Sequence, residues 1–511
     1  MTRRKKRTLT ELRQHPQNAR HARTVFRFWL LALLLLALLL RLYSLGRESF
    51  WFDESYSVAF ATRPLHELSL FHLAGLPFSD RNFYHLLLHF WLPIAQSDVM
   101  LRLPSALAGW GSVLFLYALG TTLFDRTVGL WSAALLAISP LHIWYSQEAR
   151  MYIFTALFSV ASVLWFARVL RADRTVADWI GVSLAAGFAL YTHFVAILVV
   201  VFQNAFVLYR AARRQIERGW FWRWVVVQAG VALFALPLLI GLLYQQRHGW
   251  WGWVARKYGP PRLTEIVVVM QHFSVGTTFP GTRPWRIAVL TVFAAILLSG
   301  LGPTLTRLAR RRWRANRDDS VVFVWLYLAL PMALAYAISQ ITPLFITRYL
   351  VFVLPAYCLA LGLGLASIPN RWLRWGLALA IVALSAVSLH TLYRVQQKED
   401  WRGAAAYVDN HVQPADVIFL VDEDIFIPFH HYFRHATDEQ RVWRGLDDPQ
   451  ALDALVEAAI IQHDRLWIVR SHAPGRALDQ AIERNARTAL VTRRAFLGIE
   501  ASLFRIRGGD R

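Results

Sequence analysis

The sequence has a single cysteine, few acidic residues and no internal repeat. Because Cys358 is alone and lies inside an apolar block, no intramolecular disulfide can form, and cysteine usage leaves the redox compartment undetermined. Only 33 Asp and Glu stand against 55 Lys and Arg, which gives a formal net charge of +22. The basic residues recur in short loops between apolar blocks instead of forming one patch, so they indicate membrane topology and argue against a nucleic-acid partner.

What the sequence has in abundance is apolar surface. Hydrophobic residues make up 56% of the chain, there are 22 Trp, and the mean hydropathy is +0.35. The apolar residues come in blocks of membrane-spanning length, which predicts a polytopic α-helical membrane protein. A basic tail, residues 1–25, precedes a Leu-rich run at 26–45 that has no small-residue cleavage site after it. This pattern predicts a retained anchor and a cytoplasmic N-terminus.

The apolar blocks predict about eleven transmembrane helices within residues 26–393. The stretch 82–95 is excluded because it is shorter than the roughly 20 residues that a span needs, so it is interpreted as an interfacial helix in a first outer loop at about 46–99. With this assignment the basic loops fall on the inner side throughout. The predicted crossings are 26–45, 100–123, 128–146, 150–170, 177–192, 194–210, 224–243, 286–303, 320–337, 349–367 and 374–393.

After the last crossing, the composition changes. Residues 394–511 are more charged, and strand-like runs at 416–421 and 465–469 alternate with helical stretches at 401–411 and 449–461. The pattern predicts a small α/β domain. An odd number of crossings places it on the outer, extracytoplasmic side.

Adjacent carboxylates, Asp53 and Glu54, follow the first crossing in an aromatic setting. The same predicted topology brings other polar side chains to this outer face, which predicts a functional site there. They are Asp80, Arg81, Arg102, Glu148, Arg150, His193, His272, Arg348 and Tyr349.

Three motifs resemble bacterial family 39-like glycosyltransferases. They are Phe-Trp-Phe-Asp-Glu-Ser-Tyr-Ser at 50–57, Leu-Arg-Leu-Pro-Ser-Ala-Leu at 101–107, and Ser-Pro-Leu-His-Ile-Trp-Tyr-Ser-Gln-Glu-Ala-Arg-Met-Tyr at 139–152. The resemblance continues in Tyr-Thr-His-Phe at 191–194, Arg-Tyr-Leu at 348–350 and Lys-Glu-Asp-Trp-Arg at 398–402. The superfamily includes protein O-mannosyltransferases and aminoarabinose transferases, and its members have the GT-C fold.

The resemblance implies transfer of a monosaccharide from a polyprenyl-phosphate carrier, such as undecaprenyl phosphate, to a glycan, lipid or protein acceptor. It also implies a bacterial inner membrane, with the reaction at the outer face and the C-terminal domain in the periplasm. A lipid phosphate is already an acceptable leaving group, so the chemistry mainly requires a carboxylate for the acceptor proton and cations for the departing phosphate. Asp53 is the predicted general base, and attack opposite the phosphate would invert the anomeric centre.

The other candidates have narrower predicted roles. Glu54 is expected to orient the loop or bind the acceptor, since adjacent residues do not share a helix face. Glu148 resembles the second acidic position of these enzymes and is expected to hold the acceptor or a divalent ion, while Arg150 pairs with it or reaches the phosphate.

Arg81 and Arg348 are the leading candidates for phosphate binding, because the forked donors of arginine suit a phosphate. Arg102, His193 and Tyr349 complete the predicted phosphate-binding set. Arg102 and Arg150 equally suit anchoring at headgroups, and His193 suits a polar role in helix packing.

A divalent metal ion is a possible cofactor, with Asp80 and His272 as its predicted ligands. No tight ligand spacing such as His-x-x-x-His accompanies them, so loops without a metal are the favoured interpretation.

Two other function classes stay open. A lipid-linked oligosaccharide polymerase or ligase would use the same carrier and the same face of the membrane. A transporter would require ionisable residues near the bilayer midplane and broken helices in repeated halves, and the charges instead gather at one face.

Overall fold

The structure, a computed structural model, describes residues 24, 26–68, 83–247, 259–310, 314–435, 438–442, 448–471 and 477–507. The basic tail lies almost wholly outside these ranges. The described residues divide into two compact units. The first contains residues up to 43, together with 83–84 and 102–392, and the second contains 44–68, 85–101 and 393–507. The residues around Asp53 therefore group with the C-terminal part of the chain, from which they are far removed in sequence.

Helices dominate up to residue 394, and residues 26–42 form the first of them. The α-helices that follow are Phe52–Ala61, Leu65–Leu68, Phe83–Trp91, Asp98–Leu123, Arg126–Ala137, Pro140–Ser146, Tyr152–Val169, Val176–Thr192, Ile197–Ala212, Arg218–Arg247, Leu263–Val275, Arg283–Ala309, Ala315–Ile338, Leu354–Ser367 and Arg371–Arg394. Short 3-10 helices lie at Leu92–Ile94, Phe194–Ala196 and Thr347–Val353.

The prediction of a polytopic helical membrane protein is confirmed. Within the described ranges, eight helices are long and apolar enough to cross a membrane, or nine when the bent pair described next is included. Two more predicted crossings are also helical, at 26–42 and at Val176–Thr192. The total of eleven crossings stays a prediction.

The crossing predicted at 128–146 is not one straight helix. It consists of Arg126–Ala137 and Pro140–Ser146, which are bent by 62° at the break between them. Pro140 has no N–H to continue the first helix, whereas the first turn of a new helix accepts a proline. Ser139 caps that new helix by accepting a hydrogen bond from His142 N.

Two spans form the interior of the first unit. In the most apolar stretches of Thr347–Ser367 and Tyr152–Val169, 89% and 78% of the residues are buried, against 22% in Arg218–Gly241. Gly362 and Gly364 permit close packing of the first of these spans, because a Cβ at either position would lie within 3.0 Å of Ser132 or Ile296 backbone atoms. The unit is therefore organised around two enclosed helices.

The predicted C-terminal α/β domain is confirmed as a five-stranded sheet. Its strands are β1 (Asp416–Val421), β2 (Asp438–Val442), β3 (Arg465–Ser471), β4 (Thr488–Phe496) and β5 (Ile499–Ile506), in the order β2-β1-β3-β5-β4. Strands β2, β1 and β3 are parallel, and β5 pairs antiparallel with both β3 and β4. The helices are Trp401–Asp409, Phe426–Tyr432, Pro449–Gln462 and Ala477–Arg484, with a 3-10 turn at Glu423–Ile425.

Both faces of this sheet are covered. Along β1, Ile418 and Leu420 pack with Trp401 on one face. Val417 and Phe419 pack on the other face with apolar residues of helices Pro449–Gln462 and Ala477–Arg484. A strand buried on two faces carries a continuous apolar run, and this explains why β1 and β3 are recognisable in the sequence. Strand β4 is half-exposed and mixed in composition, so it gives no such signal.

Candidate functional site

The first unit contains a group of aromatic and cationic side chains, which we call the cationic group: Arg150, Tyr152, His193, Arg348 and Tyr349. The His193 ring centroid lies 4.9 Å from that of Tyr349 and 6.0 Å from that of Tyr152. The guanidinium of Arg150 stands 5.6 Å from the Tyr152 ring, and that of Arg348 stands 5.5 Å from the Tyr349 ring. Three separate segments, at 150–152, 193 and 348–349, thus contribute to one cluster.

The cationic group lies at the beginnings of the two enclosed helices. Arg150 precedes helix Tyr152–Val169, and Arg348 lies in the first turn of span Thr347–Ser367. The rings of Tyr152 and Tyr349, 6.1 Å apart, bring these two helix ends side by side. A helix N-terminus carries partial positive charge, so both arginines add to a potential that is already positive. The arrangement favours an anion.

His193 is an ionisable member of this group that carries no charge at ordinary pH. It lies between helices Val176–Thr192 and Phe194–Ala212, and its Nδ1 accepts a hydrogen bond from Val195 N at 3.3 Å. Burial and the guanidinium groups of Arg150 and Arg348 lower the pKa of His193 to about 3. The ring is therefore neutral at ordinary pH, and with Nδ1 acting as acceptor, Nε2 carries the proton and is the donor.

Glu148 stands two residues before Arg150 and is buried. Its carbonyl oxygen accepts a hydrogen bond from Arg150 N at 2.8 Å, which makes a tight turn between the two side chains. The amide of Gln147 anchors the start of this turn, since its Nε2 donates to the carbonyl oxygens of Arg41 and Tyr43 at 3.0 and 2.7 Å. Glu148, the predicted second acidic residue, thus belongs to the same segment as Arg150.

Arg41, which the sequence analysis did not identify, holds the break that precedes this turn. Its guanidinium is fully buried and donates to the carbonyl oxygens of Leu136 and Ala137, both at 3.2 Å, and to Nδ1 of His142 at 2.8 Å. A cation at the C-terminal end of helix Arg126–Ala137 binds carbonyl groups that have no partner within the helix. An arginine inside an apolar run was the available sequence signal.

The acidic pair lies in the second unit, in the first turn of helix Phe52–Ala61. Asp53 is half-buried, whereas Glu54 is fully buried. Lys398 Nζ donates to Glu54 Oε2 at 3.0 Å. Adjacent helical residues point in directions about 100° apart, so the two carboxylates of the pair face different surroundings.

Other predicted residues have the following positions. Arg102 is buried in helix Asp98–Leu123. His272 lies in helix Leu263–Val275, and its Nδ1 is 2.9 Å from Oγ1 of Thr347, the residue before Arg348. Asp80 and Arg81 lie outside the described residues. Within the described ranges, no three His, Cys, Asp or Glu side chains are grouped in a way that would hold a metal ion.

A separate cavity in the first unit has a volume of about 940 Å³. Asp125, Arg171, Arg210 and Phe323 are among the residues that line it. None of the predicted site residues lines this cavity, so it does not belong to the cationic group.

Comparisons with known proteins agree with this architecture. A sequence profile of the dolichyl-phosphate-mannose-protein mannosyltransferase family matches residues 83–240. The structure is similar to ArnT from Cupriavidus metallidurans in the apo state, with a TM-score of 0.58 and 13% identity over 93% of this chain and 98% of that one. The ArnT structure bound to undecaprenyl phosphate covers the same shares, with a TM-score of 0.54 and 14% identity.

Two further solved structures are similar. The Archaeoglobus fulgidus oligosaccharyltransferase in the apo form matches with a TM-score of 0.52 and 12% identity, over 87% of this chain and 70% of that one. The arabinofuranosyltransferase AftD from Mycobacteria matches with a TM-score of 0.54 and 15% identity, over 95% of this chain and 42% of that one. A search of curated proteins finds no significant match. The chain has the GT-C fold, and its resemblance to the membrane glycosyltransferases related to mannosyltransferases and aminoarabinose transferases is confirmed.

Proposed function

We propose that this protein transfers a monosaccharide from a polyprenyl-phosphate carrier to an acceptor at the outer face of a bacterial inner membrane. The observation that carries the proposal is the cationic group, in which Arg150 and Arg348 stand near a neutral histidine at the beginnings of two enclosed helices. The similarity to ArnT, which has been solved with undecaprenyl phosphate, supports a carrier of the same chemical class.

The cationic group suits a phosphodiester better than it suits an uncharged ligand. Two guanidinium groups provide charge-assisted donors for phosphate oxygens, and the Nε2 proton of His193 adds a donor without adding charge. The tyrosine rings of Tyr152 and Tyr349 provide apolar faces beside these donors, as a sugar or an isoprenoid unit would require. The group therefore provides both donors for the phosphate and apolar faces for the sugar or isoprenoid part of a lipid-linked sugar.

The proposed reaction is a displacement at the anomeric carbon. An acceptor hydroxyl oxygen forms a bond to that carbon while the bond from the carbon to the phosphate oxygen breaks, and the lipid phosphate leaves with the electron pair. Asp53 takes the hydroxyl proton, and attack opposite the phosphate inverts the anomeric centre. Arg150 and Arg348 neutralise the charge on the leaving phosphate, and Glu148 holds the acceptor.

The outer-face assignment rests on charge distribution in the sequence. The basic loops predicted to be inside include 210–223, 307–317 and 371–374, all rich in arginine. In that topology, residues 150 and 348 lie at the outer ends of their helices, where positive charge is disfavoured unless it has a function. Binding of the phosphate of a lipid carrier at this face would be such a function.

Mass spectrometry of lipids that co-purify with the gently solubilised protein tests the proposal. We expect the wild type to carry a polyprenyl phosphate, bare or with one sugar, and the Arg150→Ala/Arg348→Ala variant to lose it. Arg168→Ala is the matched control, because Arg168 is half-exposed at the other end of helix Tyr152–Val169. A long lipid-linked glycan on the wild type would favour the polymerase or ligase alternative, and absence of any isoprenoid would favour a transporter.

A further inference from the structure

A buried ion pair joins the helix that carries Asp53 to the segment after the last membrane helix. Lys398 and Glu54 are 344 positions apart in sequence, yet Lys398 Nζ donates to Glu54 Oε2 at 3.0 Å. The side chains are 8% and 0% exposed. An ion pair on the surface contributes little to stability. Burying two charges carries a desolvation penalty, which is offset only when the two groups bind each other in good geometry. The pair is therefore a specific feature of the second unit.

The neighbouring residues reinforce the same junction. Gln397 N donates to Glu48 Oε1 at 2.7 Å, and Ser49 Oγ donates to the Glu399 carbonyl oxygen at 2.6 Å. Three consecutive residues, 397, 398 and 399, thus hold the chain that enters helix Phe52–Ala61. Of these three hydrogen bonds, that of Lys398 reaches the helix itself.

A second set of contacts holds the residue just before the helix. Tyr432 Oη accepts a hydrogen bond from Phe50 N at 2.7 Å and donates to Asp98 Oδ2. His431 stacks on the Phe50 ring with a centroid distance of 4.9 Å. Arg402 Nη2 also donates to Asp98 Oδ2, at 2.6 Å. These contacts lie before the helix, whereas the Lys398 contact reaches Glu54 in the first helical turn.

We propose that Lys398 is a positioning residue: by holding Glu54, it sets the orientation of the first turn of helix Phe52–Ala61 and thereby the direction of the Asp53 carboxylate. The inference rests on the proposed function, in which Asp53 is the general base. It assigns Glu54 to orientation of the helix and not to contact with substrate. A general base has to be within hydrogen-bond reach of its proton, so a rotated first turn lowers turnover even when the donor binds normally.

A double-mutant cycle tests this assignment with Lys398→Met, Glu54→Gln and the double variant. Lys398→Met removes the ammonium group that binds the buried Glu54 carboxylate, whereas the double variant replaces both charges by neutral groups of similar size. Turnover is measured with undecaprenyl phosphates that each carry one radiolabelled monosaccharide, and hydrogen exchange is measured across residues 52–61. Arg465→Met/Asp416→Asn is the matched control, because it removes a different ion pair of the second unit, with 2.7 Å between Arg465 Nη2 and Asp416 Oδ2.

We expect Lys398→Met to lower kcat about 100-fold with an unchanged KM for the lipid donor, the size of effect that a displacement of about 1 Å produces. Hydrogen exchange should rise in residues 52–61 and not across the sheet. The double variant should have a kcat within about tenfold of that of the wild type. The kcat of Lys398→Arg should be closer still to the wild-type value, because this variant keeps the positive charge.

Three results would overturn the proposal. The first is a double variant no better than Lys398→Met, because the Glu54 carboxylate would then be needed for itself. The second is wild-type kcat in Lys398→Met. The third is exchange at 52–61 that is unchanged, or no higher than in the Arg465→Met/Asp416→Asn control. If the wild type transfers none of the lipid-linked sugars but Lys398→Met still raises exchange at 52–61, the positioning of the helix stands and the proposed function fails.

Discussion

The two acidic segments of this protein are held by different kinds of interaction. Glu54, next to Asp53, is bound by the ammonium group of Lys398, so one buried charge compensates another. Near Glu148 and Arg150 the acceptors are instead uncharged, since Arg41 at the preceding break and Gln147 beside Glu148 donate to backbone carbonyl oxygens. A charge pair can be replaced by a neutral pair, whereas carbonyl groups at a helix end need a donor whatever else changes. The first junction should therefore tolerate compensating substitutions, and the second should not.

The largest expected effect comes from the half-buried carboxylate beside the ion pair. Asp53→Asn should lower turnover by about 1,000-fold or more, because an amide cannot take the acceptor proton. Binding of undecaprenyl phosphate to the purified variant should stay at the wild-type level, because the proposed phosphate ligands are arginines of the other unit. Normal turnover in this variant would remove Asp53 from the reaction.

The converse separation is expected for the cationic group. Arg348→Ala should weaken binding of undecaprenyl phosphate by about 10- to 100-fold, the range for loss of hydrogen bonds to a charged group. Titration of the detergent-solubilised protein with this lipid measures the change, and Arg168→Ala should bind as the wild type does. An unchanged affinity in Arg348→Ala would exclude Arg348 from the phosphate site.

A smaller effect, on stability, distinguishes the two junctions directly. Arg41→Met should destabilise the fold by about 1–3 kcal/mol, because the carbonyl oxygens of Leu136 and Ala137 lose the hydrogen bonds that the buried guanidinium donates. Thermal unfolding in detergent measures this loss, with Arg27→Met, an exposed position on the same helix, as control. Adding His142→Leu should not restore the unfolding temperature, since the backbone carbonyl groups that Arg41 binds remain whichever side chains are replaced. Recovery in the double variant would show that the two junctions follow the same rule.

The smallest effect is expected from chelation. Turnover should stay within about twofold of its starting value in excess chelator, since Asp80 and His272 lack the ligand spacing of a tight site. His272 Nδ1 is also engaged by Thr347 Oγ1. Loss of turnover that added Zn²⁺ or Mn²⁺ restores would contradict this expectation and support the metal interpretation.

Four of the five members of the cationic group were predicted from the sequence, but Tyr152 and the arrangement of the group were not. Arg150, His193, Arg348 and Tyr349 were named because each follows or precedes a predicted crossing at one face. Sequence reasoning did not identify Arg41, because an arginine within an apolar run resembles an ordinary helix-end anchor. Lys398 was part of a recognised motif, yet nothing nearby in the sequence showed that its partner was Glu54.

The sequence by itself determined the class of the protein, most of the long apolar helices and the change to an α/β domain after residue 394. Those properties follow from composition and periodicity, which depend on residues within a few positions of one another. Only the tertiary structure decided that Arg41 binds the break before Pro140, which edge of the sheet is antiparallel and that Lys398 pairs with Glu54. All three depend on which distant segments fold together. Such pairings depend on packing and on closure of long loops, and neither leaves a local pattern in the chain.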